Sequence, residues 1–209
     1  MPAEREPPTV TTWVENPQEG RPRGPAGLLR SWAEILVRPR RFFAAGVAPG
    51  DQAPGLAFGV AVALAFVGGL FVGQPSTIPE TGAGTVASGI LWLLAVGLFV
   101  APATLHLTAA LLTLGLRVTV RDRAGVSETV QVVAYAAAPC ALAGPPVPWL
   151  RALCCIYGAA LLVGGVREVH DTTTTRAAVA AAIPAALVFG YGFRAFGAIE
   201  AVARAWTII

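Results

Sequence analysis

The sequence predicts an all-α, polytopic membrane protein: a bundle of five transmembrane helices preceded by a disordered segment and an interfacial amphipathic helix. Two features predict it. Apolar stretches of spanning length fill the chain from Pro54 onward, and the arginines gather in alternate connections between them. Hydrophobic residues are 55% of the 209 and charged residues 13%, too little polar surface to cover a water-soluble domain of this size. The chain divides into 1–25, a disordered cytoplasmic segment; 26–53, an amphipathic helix with a basic-aromatic linker; and 54–209, the transmembrane bundle.

Residues 1–25 are too polar and too broken by proline to bury a face, and they carry no apolar core of the kind a signal peptide needs, so the amino terminus is expected to stay intact. From Leu28 the pattern changes. Leu28, Leu29, Trp32, Ile35 and Leu36 recur at helical spacing, while Arg30, Ser31 and Glu34 fall elsewhere, which describes a helix lying in the membrane interface until Pro39 ends it. The run that follows sets Arg38, Arg40 and Arg41 where lipid phosphates lie. Phe42 and Phe43 would dip among the acyl chains, so these five residues and Trp32 form the predicted membrane-interface set.

The first span, 54–73, is free of charge and long enough for a hydrocarbon core. The apolar block 87–116 is too long for one untilted span and too short for two. Because arginines precede the first span and Arg117, Arg121 and Arg123 follow this block, an even number of crossings separates them, and the block reads as one long helix kinked at Pro102. The third span, 129–145, is the weakest. It contains Gln131 and Tyr135, Pro139 breaks its hydrogen-bond ladder, and it needs protein neighbours. The fourth, 149–166, is interrupted only by Arg151, expected to snorkel to the headgroups. The fifth, 177–197, follows a threonine run and Asp171, which offer helix caps, and Arg194 should reach the far interface.

On this arrangement twelve of 15 arginines share one side. The positive-inside rule then places the protein in the cell membrane with its amino terminus in the cytoplasm and its carboxyl terminus outside. Trp92, Trp149 and Trp206 mark the outer interface and Trp32 the inner one. The net charge of +3 comes with no aromatic-basic binding surface, so nucleic acid is not an expected partner. Cys140, Cys154 and Cys155 lie in apolar segments, without a CxxC pair or disulfide framework, and read as packing residues.

Polar chemistry is confined to one membrane face. His106, Glu128, Arg167, Glu168, His170 and Asp171 form a candidate inner-rim cluster, read as solvated and salt-bridged, with Asp171 capping the fifth span and Glu128 within reach of Arg167. No HExxH spacing, GxSxG elbow, phosphate loop or intramembrane carboxylate pair occurs, so no enzyme, metal or cofactor is expected. Two GxxxG spacings, Gly55 to Gly59 and Gly69 to Gly73, serve either packing inside the bundle or a homo-oligomeric seam.

Three passages carry a resemblance: WAEILVRPRRFF before the first span, SETVQVVAYAAAP opening the third, and GVREVHDTTTTRAAVAAAIP joining the fourth and fifth. From Trp32 to about Gly192 the chain resembles the Yip1 domain in its prokaryotic form. The resemblance implies a five-helix integral membrane protein, and in eukaryotic members an association with Rab-type GTPases, vesicle traffic and membrane shaping. The aromatic-acidic DLYGP-type motif of that branch is absent here, so the GTPase link is not carried over. The expected role is a non-enzymatic scaffold that organises the membrane or recruits a protein partner, with the lipid bilayer and its anionic lipids as surroundings. The competing role is a small transporter or channel subunit whose proline-broken spans line a path.

Overall fold

In the computed structural model, residues 24–120 and 123–207 are described, and the segment expected to be disordered lies almost entirely outside them. Among the described residues, eight helices and a short 3₁₀ turn at Pro75–Thr77 follow one another, the helices being α1 (Pro25–Val37), α2 (Pro39–Ala45), α3 (Ala53–Gly73), α4 (Thr85–Thr119), α5 (Val126–Leu142), α6 (Pro148–Val169), α7 (Thr174–Gly192) and α8 (Ala195–Thr207). Among the described residues, α3, α4, α6 and α7 are long and apolar enough to cross a membrane.

The shorter α5 is the centre of the molecule. It packs on α3, α4 and α6, and every residue from Thr129 to Cys140 is buried. A short helix carrying Gln131 and Tyr135 depends on such a shell of protein neighbours. Pro139 lacks an N–H and its ring would strike the carbonyl four residues back, so the α-helix stops at Ala136 and continues as a 3₁₀ turn over Ala138–Leu142. The segment runs beside α3 over that helix's whole length, with Gly55 against Gln131 and Gly73 against Pro146.

The glycine spacings of α3 explain this closeness. A Cβ at Gly55 would lie 2.7 Å from Gln131, one at Gly59 2.7 Å from Leu105, and one at Gly69 3.2 Å from the backbone of Gly144. The GxxxG faces are therefore used within the bundle, which removes them as a seam for a second copy.

In α4 the expected single long helix is present. A π-helical turn over Val96–Val100, with the Ala101 N–H bonded to Val96 O, accommodates the Pro102 ring. The half of α4 up to and including this turn touches mainly α3, leaving Leu91, Leu94, Leu98 and Phe99 exposed. The fifth apolar run ends earlier than the sequence indicates. Helix α7 closes in a π-helical stretch (Ala186–Gly192), Arg194 adopts a left-handed φ of 61°, and a separate helix, α8, follows. Phe193 holds the break, stacking on Phe189 and meeting Phe66 edge-on at 5.1 Å.

Candidate functional site

Two sets of side chains were expected to matter, and the structure treats them differently. In the first, the basic-aromatic run is itself a helix, α2, begun by Pro39 at a position where a missing N–H costs nothing. Its arginines face outward, whereas Phe42 and Phe43 are 0% and 3% exposed. Phe42 meets Tyr135 edge-on at 4.9 Å, and Phe58 meets the same ring at 5.3 Å. Both phenylalanines thus belong to the core and not to the lipid interface, because Tyr135 and the bare Gly165 leave ring-sized room beside α5 and α6. Trp32 is half-buried and its Nε1–H donates to Ala138 O at 2.8 Å, while Tyr157 donates to Leu36 O at 2.7 Å. Helix α1 is docked on the bundle by these two bonds, with Gly27, Ser31 and Ile35 facing in. Arg38 and Arg40 are exposed, and Arg41 lies 3.7 Å from Glu34.

The second set lies at the arginine-rich end. His170 closes α6 and is 1% exposed. Its Nε2 is 3.4 Å from Thr129 Oγ1, and that hydroxyl itself donates to Gly125 O, so the ring carries its proton on Nε2. The Nδ1 atom is buried without a partner. Burial pushes the imidazole down to about 4, opposed by the nearby Glu128 carboxylate and assisted by the Arg123 cation. His170 therefore bears no charge at neutral pH. Because the unfolded ring takes up a proton near pH 6.5 and the folded ring only near pH 4, stability is complete above pH 6.5 and falls as pH drops through that window. The expected loss is at most about 3 kcal/mol, and in His170→Gln the acid limb of a melting-temperature profile should flatten.

The rest of the cluster departs from expectation. His106 is exposed on α4 with Nδ1 2.7 Å from Pro102 O, and it lies about 20 Å along the helix axis from Thr119 at 1.5 Å per residue. It does not join the others. Among the described residues the ion pairs are Glu34–Arg41 and Glu200–Arg204, so the rim is not salt-bridged, and Glu128 faces His170 in place of Arg167. Arg167 and Glu168 are exposed. Asp171 sits at a left-handed φ of 43° and does not cap α7. The cap is Thr173, whose Oγ1 accepts from the Arg176 N–H at 3.4 Å. Among the described residues no three His, Cys, Asp or Glu side chains are grouped to hold a metal ion.

A feature missed from the sequence occupies the same end. A cleft of about 870 Å³ lies between the end of α4 and the start of α7, lined by Arg117, Thr119, Asp171, Thr172, Thr173 and Arg176, with Val118 and Val120. Its arginines are far apart in sequence, so no local motif announces it. Arg151 does not snorkel to the headgroups as expected. It is 9% exposed, and its guanidinium donates to Ala143 O at 2.8 Å, Gly144 O at 3.0 Å and Pro145 O at 3.2 Å while lying over the Phe66 ring. These carbonyls are released where the 3₁₀ turn ends, and a five-donor fork is what can collect them.

Long apolar helices enclosing a buried apolar core segment define a multi-pass helical membrane protein. The Yip1 domain model matches residues 33–195, and the chain belongs to that family. No curated protein and no solved structure matches it.

Proposed function

We propose that the protein is a non-enzymatic membrane scaffold that crosses the cell membrane five times, with α5 as the protein-shielded third crossing. The amino terminus lies in the cytoplasm and the carboxyl terminus outside, as the arginine distribution favours. The observation that carries the scaffold reading is where the buried polar groups of the bundle go. Gln131 binds the backbone of Ala48, and Arg151 binds three carbonyls of the turn before it. These are the polar side chains a transport path would need, and both are committed to the protein's own backbone. Arg38 and Arg40, exposed beside docked α1 and α2, present cations to anionic headgroups and to a protein partner. At the other end α8 is amphipathic. It buries Ala195 and Ala198 against α6 and leaves Phe196, Ile199 and Trp206 exposed, a pattern suited to lying in the interface.

The test pairs two measurements on one preparation. Photo-crosslinkers at Val37, Arg40 and Trp206 in native membranes should give discrete protein adducts, and the purified protein in liposomes should pass ions and small solutes no faster than empty liposomes. Solute flux well above that background would make the protein a transporter and overturn the scaffold reading.

A further inference from the structure

The cleft at the arginine-rich end has features that neither the packing of the bundle nor the scaffold reading uses. Arg117, in the last turn of α4, and Arg176, in the first turn of α7, both line it, and neither forms an ion pair with a described residue. Thr172 and Thr173 line it as well. The first turn of α7 borders the same space; its Arg176 N–H is held by Thr173 Oγ1, while the Thr174 and Thr175 N–H groups have no intrahelical acceptors. Two guanidinium groups, hydroxyls and a helix N-terminus are the donors that phosphate oxygens take. Asp171 adds one carboxylate, which a simple anion would avoid and an ammonium group would seek.

The approach to the cleft is apolar. Val118 on its wall is 88% exposed, and Leu114 and Leu107 continue the same stripe up α4 at 56% and 66% exposed. Spacings of four and seven residues keep the three side chains on one helix face. A chain laid along this stripe leads from the hydrocarbon to the guanidinium groups, so a phosphate tethered to acyl chains fits better than a free one.

We propose that this cleft is a phospholipid headgroup site for an amine-bearing lipid of the phosphatidylethanolamine type. The phosphate is held by Arg117, Arg176 and the start of α7, the ammonium by Asp171, and an acyl chain lies on the Leu107, Leu114 and Val118 stripe. The site is independent of the number of crossings and of whether the protein recruits partners.

Native mass spectrometry of the full chain, delipidated and titrated with phosphatidylethanolamine or phosphatidylglycerol of matched acyl chains, tests it. The wild type should retain one phosphatidylethanolamine in preference to phosphatidylglycerol. Arg117→Gln with Arg176→Gln should weaken that binding by roughly tenfold or more, as loss of charged hydrogen bonds does. Asp171→Asn should leave phosphate binding but remove the preference for the amine. All three residues are exposed, so the variants should melt as the wild type does. Equal retention of phosphatidylethanolamine by the arginine double variant would overturn the site. Displacement of the lipid by an equal concentration of glycerophosphoethanolamine would overturn the membrane source and make the ligand a soluble phosphate ester.

Discussion

Arg151→Ala is expected to destabilise the protein by about 2–5 kcal/mol, a large share of the stability of any domain this size. The reason is in the acceptors. Ala143 and Gly144 are buried, and their carbonyls have the Arg151 guanidinium as partner, so the substitution strands polar groups that water does not reach. The melting temperature in mild detergent should fall by about 10 °C, taking the usual few degrees per kcal/mol for a chain of this length. Arg151→Lys should recover less than half of the loss, since one ammonium cannot follow the three-carbonyl fork. A snorkelling arginine would give a different result, with alanine nearly neutral and lysine fully equivalent.

The second large effect belongs to the opposite end of α5. Gln131 is 0% exposed and its amide pairs with the Ala48 backbone in both directions, accepting from the N–H at 3.0 Å and donating to the carbonyl at 2.7 Å. Gln131→Leu keeps the approximate volume and removes both bonds, leaving the Ala48 N–H unpaired and its carbonyl with only the 3.4 Å bond from the Asp51 N–H. The expected cost is about 2–4 kcal/mol. Hydrogen exchange should locate it, with protection lost first in the linker between α2 and α3 and only later in α6. Unchanged exchange in that linker would mean that Gln131 does not tether it.

These two residues show where the sequence was legible and where it was not. Spans α3 and α6 lie within a few residues of their expected limits, and α4 within three, because a lipid-facing helix must be apolar along its whole length and its ends show as polarity. Inside the bundle that signal disappears. Gln131 and Arg151 look like defects in apolar runs, yet each satisfies irregular backbone, Gln131 at Ala48 in the linker before α3 and Arg151 at Ala143, Gly144 and Pro145 in the turn before α6. Phe42 and Phe43 are apolar enough for lipid or for core, and periodicity alone does not choose between them. The break at Arg194 was hidden for another reason. A left-handed residue without glycine is set by the Phe193 and Phe66 contact, which joins residues far apart in the chain. At the candidate site, Glu128, His170 and Asp171 are visible in the sequence as polar groups at the ends of apolar runs, but the cleft beside them needs Arg117 and Arg176 from different helices and no local pattern contains both.

In the proposed arrangement α5, too short and too polar to stand in lipid, carries the chain across the membrane inside a protein shell. The most direct test of this uses a background in which Cys140, Cys154 and Cys155 are replaced by alanine, with single cysteines introduced at Ser127 and at Pro146 and probed by a membrane-impermeant maleimide. Labelling of the two positions from opposite faces of the membrane, with a cysteine at Val133 left unlabelled from either, is the expected result. Labelling of both from the same face would make α5 a re-entrant segment, leave an even number of crossings, and contradict the account.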